Sequence, residues 1–212
     1  MTNRIIFLDV DGVLDYLEFF KTKTYKRRAK KNQCDMSNMI NRYNLFWVGL
    51  LCRITGAKVV MSSTWRYGWY ADGTVRHDIP GHQMELTDKL FRKYGIKLIS
   101  ITERGDVYLK DKYELDKEAI EKWVAGPSAN GLEEVRTEEF ILKYARGTQI
   151  LEWIENHNYH GKYIVIDDDI GDIIFYKDLA KRLVQTSYYG KKGGFRFKHF
   201  IKALKLLRSK ND

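Results

Sequence analysis

The run Ile5-Ile6-Phe7-Leu8-Asp9-Val10-Asp11-Gly12-Val13-Leu14 constrains this chain more than any other stretch. Four consecutive apolar residues read as a short strand buried on both faces, the kind found in parallel sheets. The run ends in two carboxylates one residue apart, followed by a glycine. In a doubly wound α/β sheet the carboxyl ends of the strands face the ligand crevice, which delivers Asp9 and Asp11 there together. Two carboxylates that close repel each other unless they share a proton or a cation. A hard divalent ion such as Mg2+, bound through oxygen, answers that need. Asp9 is then placed to accept a phosphoryl group covalently, and Asp11 to pass a proton to the leaving oxygen. An ordinary Asp-Gly turn after a strand is the plainer account of Asp11-Gly12 alone.

Two further apolar runs end in chemistry-bearing residues. Ala57 to Met61 reads as a second strand leading into Ser62-Ser63-Thr64-Trp65-Arg66. Ser62 and Ser63 there suit phosphate oxygens, and Arg66 supplies bidentate charge; a Ser/Thr helix cap is the competing use. Tyr163 to Ile166 reads as a fourth strand, closing on Asp167-Asp168-Asp169 with Asp172 behind. Three successive carboxylates at a strand end point to metal ligation, since burying charge without compensation is costly. Ile96 to Ile101 and Leu183 to Ser187 complete a set of five strands. Between them, residues 39 to 54 carry an aromatic and aliphatic stripe (Tyr43, Phe46, Trp47, Leu50, Ile54 among others) that reads as core packing. Residues 84 to 94 and the closing stretch with Phe200, Ile201, Leu204 and Leu207 read as amphipathic helices. Arg146-Gly147 reads as a break, with a new helix starting at Thr148.

With 212 residues and 44% hydrophobic content, the expectation is one domain (1–212) carrying insertions. Residues 15 to 36 read as a basic loop or flap, and 103 to 143 as a cap-like insertion with a hairpin at 107–115. The net charge of +9 is unevenly placed. Residues 21–31 carry seven Lys or Arg and no acid, and residues from 190 onward carry another net +7, so the remainder is acidic at −5. Tyr25, Tyr188, Tyr189 and Phe195 are interleaved with those cations, a pattern suited to stacking nucleic-acid bases. Cys34 and Cys52 form no metal or disulfide framework, which points to the reducing cytoplasm. No apolar run approaches the roughly 20 residues of a membrane span, so no membrane partner is expected.

Strand-DxDGV, strand-SSTWR, Arg-Gly at a helix start and strand-DDD occur in one order along the chain. Together they resemble the haloacid dehalogenase (HAD)-like hydrolases, in particular the branch related to phosphatase domains of nucleic-acid repair enzymes. That resemblance implies a Rossmann-like three-layer α/β sandwich with a mainly parallel five-stranded sheet in the order 5-4-1-2-3. It implies an Mg2+-dependent phosphomonoester hydrolase that works through an aspartyl-phosphate. Asp9 takes the role of nucleophile and metal ligand, and Asp11 that of general acid/base with its carbonyl on the metal. Ser62 binds the transferring phosphoryl group, Arg146 stabilises charge on it, and Asp167 and Asp168 complete the metal site. Lys143 competes with Arg146 for its role, as Asp169 and Asp172 do with the two metal-binding acids. The expected substrate is a phosphorylated RNA or DNA end held by Lys26, Arg27 and Arg28. A phosphatase of small phosphometabolites and a non-catalytic nucleic-acid-binding domain are the alternatives.

Overall fold

A computed structural model describes residues 4–31, 35–78, 84–103, 113–125, 145–171 and 173–209. Its centre is a parallel sheet in the order β3-β2-β1-β4-β5, the order implied by the sequence motifs. The strands are β1 Arg4–Leu8, β2 Lys58–Met61, β3 Leu98–Ile101, β4 Lys162–Asp167 and β5 Leu183–Gln185. β1 pairs in parallel with β2 (Leu8 opposite Met61) and with β4 (Leu8 opposite Ile166), so the ends of three strands finish level. Ile5 to Leu8 are each at most 1% exposed, so both faces of β1 are covered. That coverage is why the strand reads as an unbroken apolar run and does not alternate. The fold is Rossmann-like α/β.

The helices are α1 Leu17–Phe20, α2 Lys23–Lys31, α3 Arg42–Thr55, α4 Met84–Tyr94, α5 Lys117–Val124, α6 Arg146–Asn156, α7 Lys177–Arg182 and α8 Phe197–Arg208. Asn41 caps α3 by accepting the Tyr43 and Asn44 N–H groups, and Gly56, left-handed at φ 69°, ends it. One core cluster joins Ile6 and Leu8 of β1 and Val59 and Met61 of β2 to Leu45, Val48 and Cys52 of α3. Phe200, Ala203 and Leu207 of α8 belong to the same cluster. Arg4 donates to the carbonyls of Thr55 (2.8 Å) and Leu207 (3.1 Å), which ties the ends of α3 and α8 to β1.

The chain divides into two compact units, Met1–Thr102 with Gly161–Asp168 and Val184–Asp212, and Glu103–His160 with Asp169–Leu183. In the second unit Leu115 and Tyr176 form an antiparallel bridge, and Thr148 hydrogen-bonds the Tyr176 hydroxyl at 2.7 Å. Most of the expected hairpin, and the segment from 126 to 143 with Lys143, lie outside the described residues.

Three expectations are corrected. The basic stretch is helical, not a loop: the Thr22 hydroxyl accepts the Tyr25 N–H at 3.2 Å, opening α2. Lys, Arg and Ala are good helix formers without any apolar face, so periodicity alone misses such a helix. The stripe on α3 is not all core, because Tyr43, Phe46 and Ile54 are exposed while Leu45, Val48, Leu51 and Cys52 are buried. Finally, the new helix starts at Arg146 behind Ala145, not at Thr148, so Arg146 and Gly147 lie in the first turn of α6.

Candidate active site

Every motif residue of the first unit sits at or just past a strand's carboxyl end. The Asp9 N–H donates to the Ile166 carbonyl (3.0 Å) and the Ser62 N–H to that of Leu8 (2.9 Å), so all three loops leave the sheet side by side. Asp9, Asp167 and Asp168 each bring one carboxylate oxygen into a cluster whose atoms lie within 4.8 Å of one another. Asp9 and Asp167 are buried, Asp168 half-buried. Such an all-oxygen, anionic donor set is the chemistry Mg2+ selects. Of the acids left open by sequence, Asp167 and Asp168 are thus the pair that joins Asp9. Asp169 accepts the Gly171 N–H in a turn of the second unit, and Asp172 lies outside the described residues.

Gly12 is the joint that makes this packing possible. Its φ is +69°, and a Cβ there would stand 2.1 Å from Asp168 Cγ. Only glycine combines that conformation with so close an approach. Thr186, just after β5, clamps the same region: its hydroxyl donates to the Gly12 carbonyl and its N–H to the Asp167 carbonyl, both at 2.8 Å.

Ser62 is fully buried, and its hydroxyl finds no hydrogen-bond partner among the described residues. A buried hydroxyl left unpaired costs about 1–3 kcal/mol, so the site fits a ligand oxygen that would satisfy it. Ser63 does serve as a cap, accepting the Trp65 N–H at 3.4 Å, so the second strand's hydroxyl pair divides its work. Arg66 is buried, with its guanidinium 5.4 Å from the Tyr67 ring centroid. Arg146 belongs to the second unit, in the first turn of α6. Lys26 and Arg27 lie exposed on α2, whereas Arg28 turns back to donate to the Ile40 carbonyl at 3.4 Å. Of the aromatics expected to stack bases, Phe195 is fully buried and cannot; Tyr189 is exposed and packs edge-on to Tyr188 at 5.4 Å.

Four contributors escaped sequence reasoning. Asp15 is fully buried; one oxygen accepts the Gly12 N–H (3.0 Å), and the other meets no N–H or O–H donor among the described residues. Burial first, then the charge of neighbouring Asp11, pushes its carboxyl up to about 8, against the Gly12 N–H that favours ionisation. A carboxyl so raised keeps its proton at pH values below that. Trp65 donates its indole N–H to Asp11 Oδ1 at 3.2 Å. Thr186 is the clamp described above. Burial and then the charges of Asp15 and Asp11 raise the Tyr188 hydroxyl above its ordinary value. The one local signal was Asp15 itself, a third acid in the Asp9-to-Asp15 run.

No curated protein and no solved structure matches the chain. A family model described as the HAD domain in Swiss Army Knife RNA repair proteins matches residues 5–191, nearly the whole of the chain described above. Among the described residues no helix is long and apolar enough to cross a membrane. With the match running through all five strands and the acid cluster at their ends, the chain belongs to the HAD domain family of Swiss Army Knife RNA repair proteins.

Proposed function

We propose that the protein is an Mg2+-dependent phosphomonoester hydrolase that works through an aspartyl-phosphate and acts on phosphorylated nucleic-acid ends. The observation that carries this reading is the cluster of Asp9, Asp167 and Asp168 within 4.8 Å at the ends of adjacent strands. Asp9, Asp167 and Asp168, with the Asp11 carbonyl, would hold the cation. When bound it neutralises phosphate charge and orients the transferring group. The chain's own residues do the rest. An Asp9 carboxylate oxygen bonds to phosphorus while the bond to the leaving oxygen breaks, and Asp11 gives that oxygen its proton. Water then attacks the aspartyl-phosphate, Asp11 takes the proton back, and inorganic phosphate leaves with Asp9 restored. Ser62 receives a phosphoryl oxygen throughout, and Arg146 balances charge on the transferring group. Electrostatic positioning is the main source of rate in phosphoryl transfer.

The nucleic-acid part rests on charge and on the description of the family. Fourteen units of positive charge in two segments exceed what a small phosphometabolite needs. Two cysteines with no disulfide framework favour a reducing compartment such as the cytoplasm. The test is a panel of 3′- and 5′-phosphorylated oligonucleotides, mononucleotides, sugar phosphates and an aryl phosphate, with and without Mg2+. Preference for the oligonucleotides is expected, with log K falling against log[salt] at a slope of about −0.7 per phosphate contact. Changing Lys26, Arg27 and Arg28 to Ala should flatten that slope. A salt-independent preference for sugar phosphates would move the substrate to the small-molecule class. Binding of oligonucleotides with no turnover on any ester would make the domain non-catalytic.

A further inference from the structure

The two basic segments lie over 150 residues apart in sequence, yet in the fold they meet around one helix end. Arg28 of α2 donates to the Ile40 carbonyl, two residues before α3 begins. Its charge also lowers the Arg42 pKa, second only to burial, with Asp35 and Tyr94 acting in the opposite sense. Next along α3, the Tyr43 ring lies 5.6 Å beneath the guanidinium of Arg196, which belongs to the other basic segment. Arg196 is held there by the carbonyls of Gly193 (3.0 Å) and Lys191 (3.2 Å) and by the Tyr16 hydroxyl (3.3 Å).

An aromatic surface runs on from this junction. Tyr43 is 50% exposed, Phe46 40% and Phe197 54%, and Trp47 links them, 5.1 Å from both Phe46 and Phe197 and 6.1 Å from Tyr43. No Asp or Glu occurs anywhere in α2, α3 or α8, which together supply the face. Its position is tied to the catalytic loop: Asn41 N–H donates to the Leu14 carbonyl (2.8 Å) and Phe195 N–H to that of Val13 (2.7 Å). Val13 and Leu14 directly follow Asp11-Gly12. A surface of cations and half-exposed rings beside the site, on three helices without acids, fits a polyanion with stacking bases better than it fits an apolar protein helix.

We propose that the amino ends of α3 and α8, with the carboxyl end of α2, form a track for a single nucleic-acid strand leading to the phosphorylated end. Tyr43 and Phe197 are its stacking platforms, and Arg28, Arg42 and Arg196 its phosphate contacts. The track rests on the function proposed above and adds to it the path of the strand body, several nucleotides beyond the reacting end.

The experiment compares kcat/KM for phosphorylated oligonucleotides of two, four, eight and twelve nucleotides. In the wild type it should rise with length up to about eight and then level off. Base–aromatic stacking of about 1–3 kcal/mol per base corresponds to roughly 5- to 150-fold for each platform. The Tyr43→Ala/Phe197→Ala variant should therefore lower the octamer-to-dimer ratio by about 25-fold or more, the smaller of those factors taken twice. Tyr43→Trp, which keeps a stacking ring, should preserve it. Both residues are half-exposed, so a thermal melt close to wild type is expected and confirms that the ratio is read on folded protein. A wild-type enzyme that prefers a phosphorylated dinucleotide over an aryl phosphate but shows no length dependence would remove the track and leave the proposed substrate standing. So would a length dependence that survives the double variant, including the case where only the wild type self-associates and the face joins two copies. If no oligonucleotide of any length exceeds the aryl phosphate, the proposed substrate falls and the track falls with it.

Discussion

Replacing Asp15 by Asn should make the protein's stability less dependent on pH. Asp15 has no solvent exposure, its carboxyl stands at about 8 against an ordinary 3.8, and Gly12 N–H occupies one of its oxygens. Between those two pKa values the folded protein keeps a proton that the unfolded chain releases. The folded pKa is raised, so the contribution is fully present below 3.8 and is lost as pH climbs towards 8. One proton corresponds to about 1.4 kcal/mol per pH unit, so from pH 5 to pH 7 the wild type should lose on the order of 3 kcal/mol that Asp15→Asn retains. The Asn carboxamide supplies both the acceptor for Gly12 and a donor towards Asp11, as the protonated acid does, and it cannot ionise. Urea unfolding in EDTA at pH 5, 6 and 7 measures the gap between the two proteins, provided their m-values agree. A gap that stays flat across that range would show that Asp15 ionises normally, and the account of its retained proton would fail.

Asp9→Asn keeps the shape of the β1 terminus but removes the attacking oxygen. It should lower kcat by several orders of magnitude with an unchanged circular dichroism spectrum; more than a tenth of wild-type kcat would exclude Asp9 as nucleophile. Asp167→Ala and Asp168→Ala should each raise the Mg2+ concentration at half-maximal activity more than Ser62→Ala does, because only the carboxylates share the charged cluster. Full activity in excess EDTA, or superimposable Mg2+ titrations for both acids, would contradict this. Trp65→Phe removes the N–H donated to Asp11 and should lower kcat/KM about tenfold for an alkyl phosphate, whose leaving oxygen needs a proton. It should lower it much less for dinitrophenyl phosphate, whose leaving group does not. Equal losses on both esters would reduce Trp65 to a packing role.

The parts of the site legible in the sequence are those where a motif directly abuts a strand. In the β1, β2 and β4 runs, hydrophobicity stops at a definite residue, and the parallel register carries Asp9, Ser62 and Asp167 to one edge. One residue further on, the loop decides, and sequence could not separate Asp168 from Asp169: the first meets Gly12, the second turns to Gly171. The proton on Asp15 depends on enclosure and on Asp11 as a neighbour, and neither leaves a local pattern. On α3 both faces carry apolar residues at helical spacing, so periodicity showed a helix without showing which face packs. Leu45, Val48 and Cys52 won the core, and the more aromatic set went outside. α2 has no apolar face to detect at all.

That same helix carries a consequence for dynamics. α2 buries none of its nine residues, and among the described residues its attachments include the Thr22 cap, the Tyr25 contacts with Phe19 and Phe20, and the Arg28 bond to Ile40. Nine residues are too few to hold a helix in water on propensity alone, and its like charges oppose one another. Its amides belong at the low end of the opening free energies within one fold, with those of β1 at the high end. Hydrogen exchange should therefore find α2 unprotected on a timescale at which β1 has not begun to exchange, and a bound polyanion, by neutralising the repulsion, should slow α2 and leave β1 as it was.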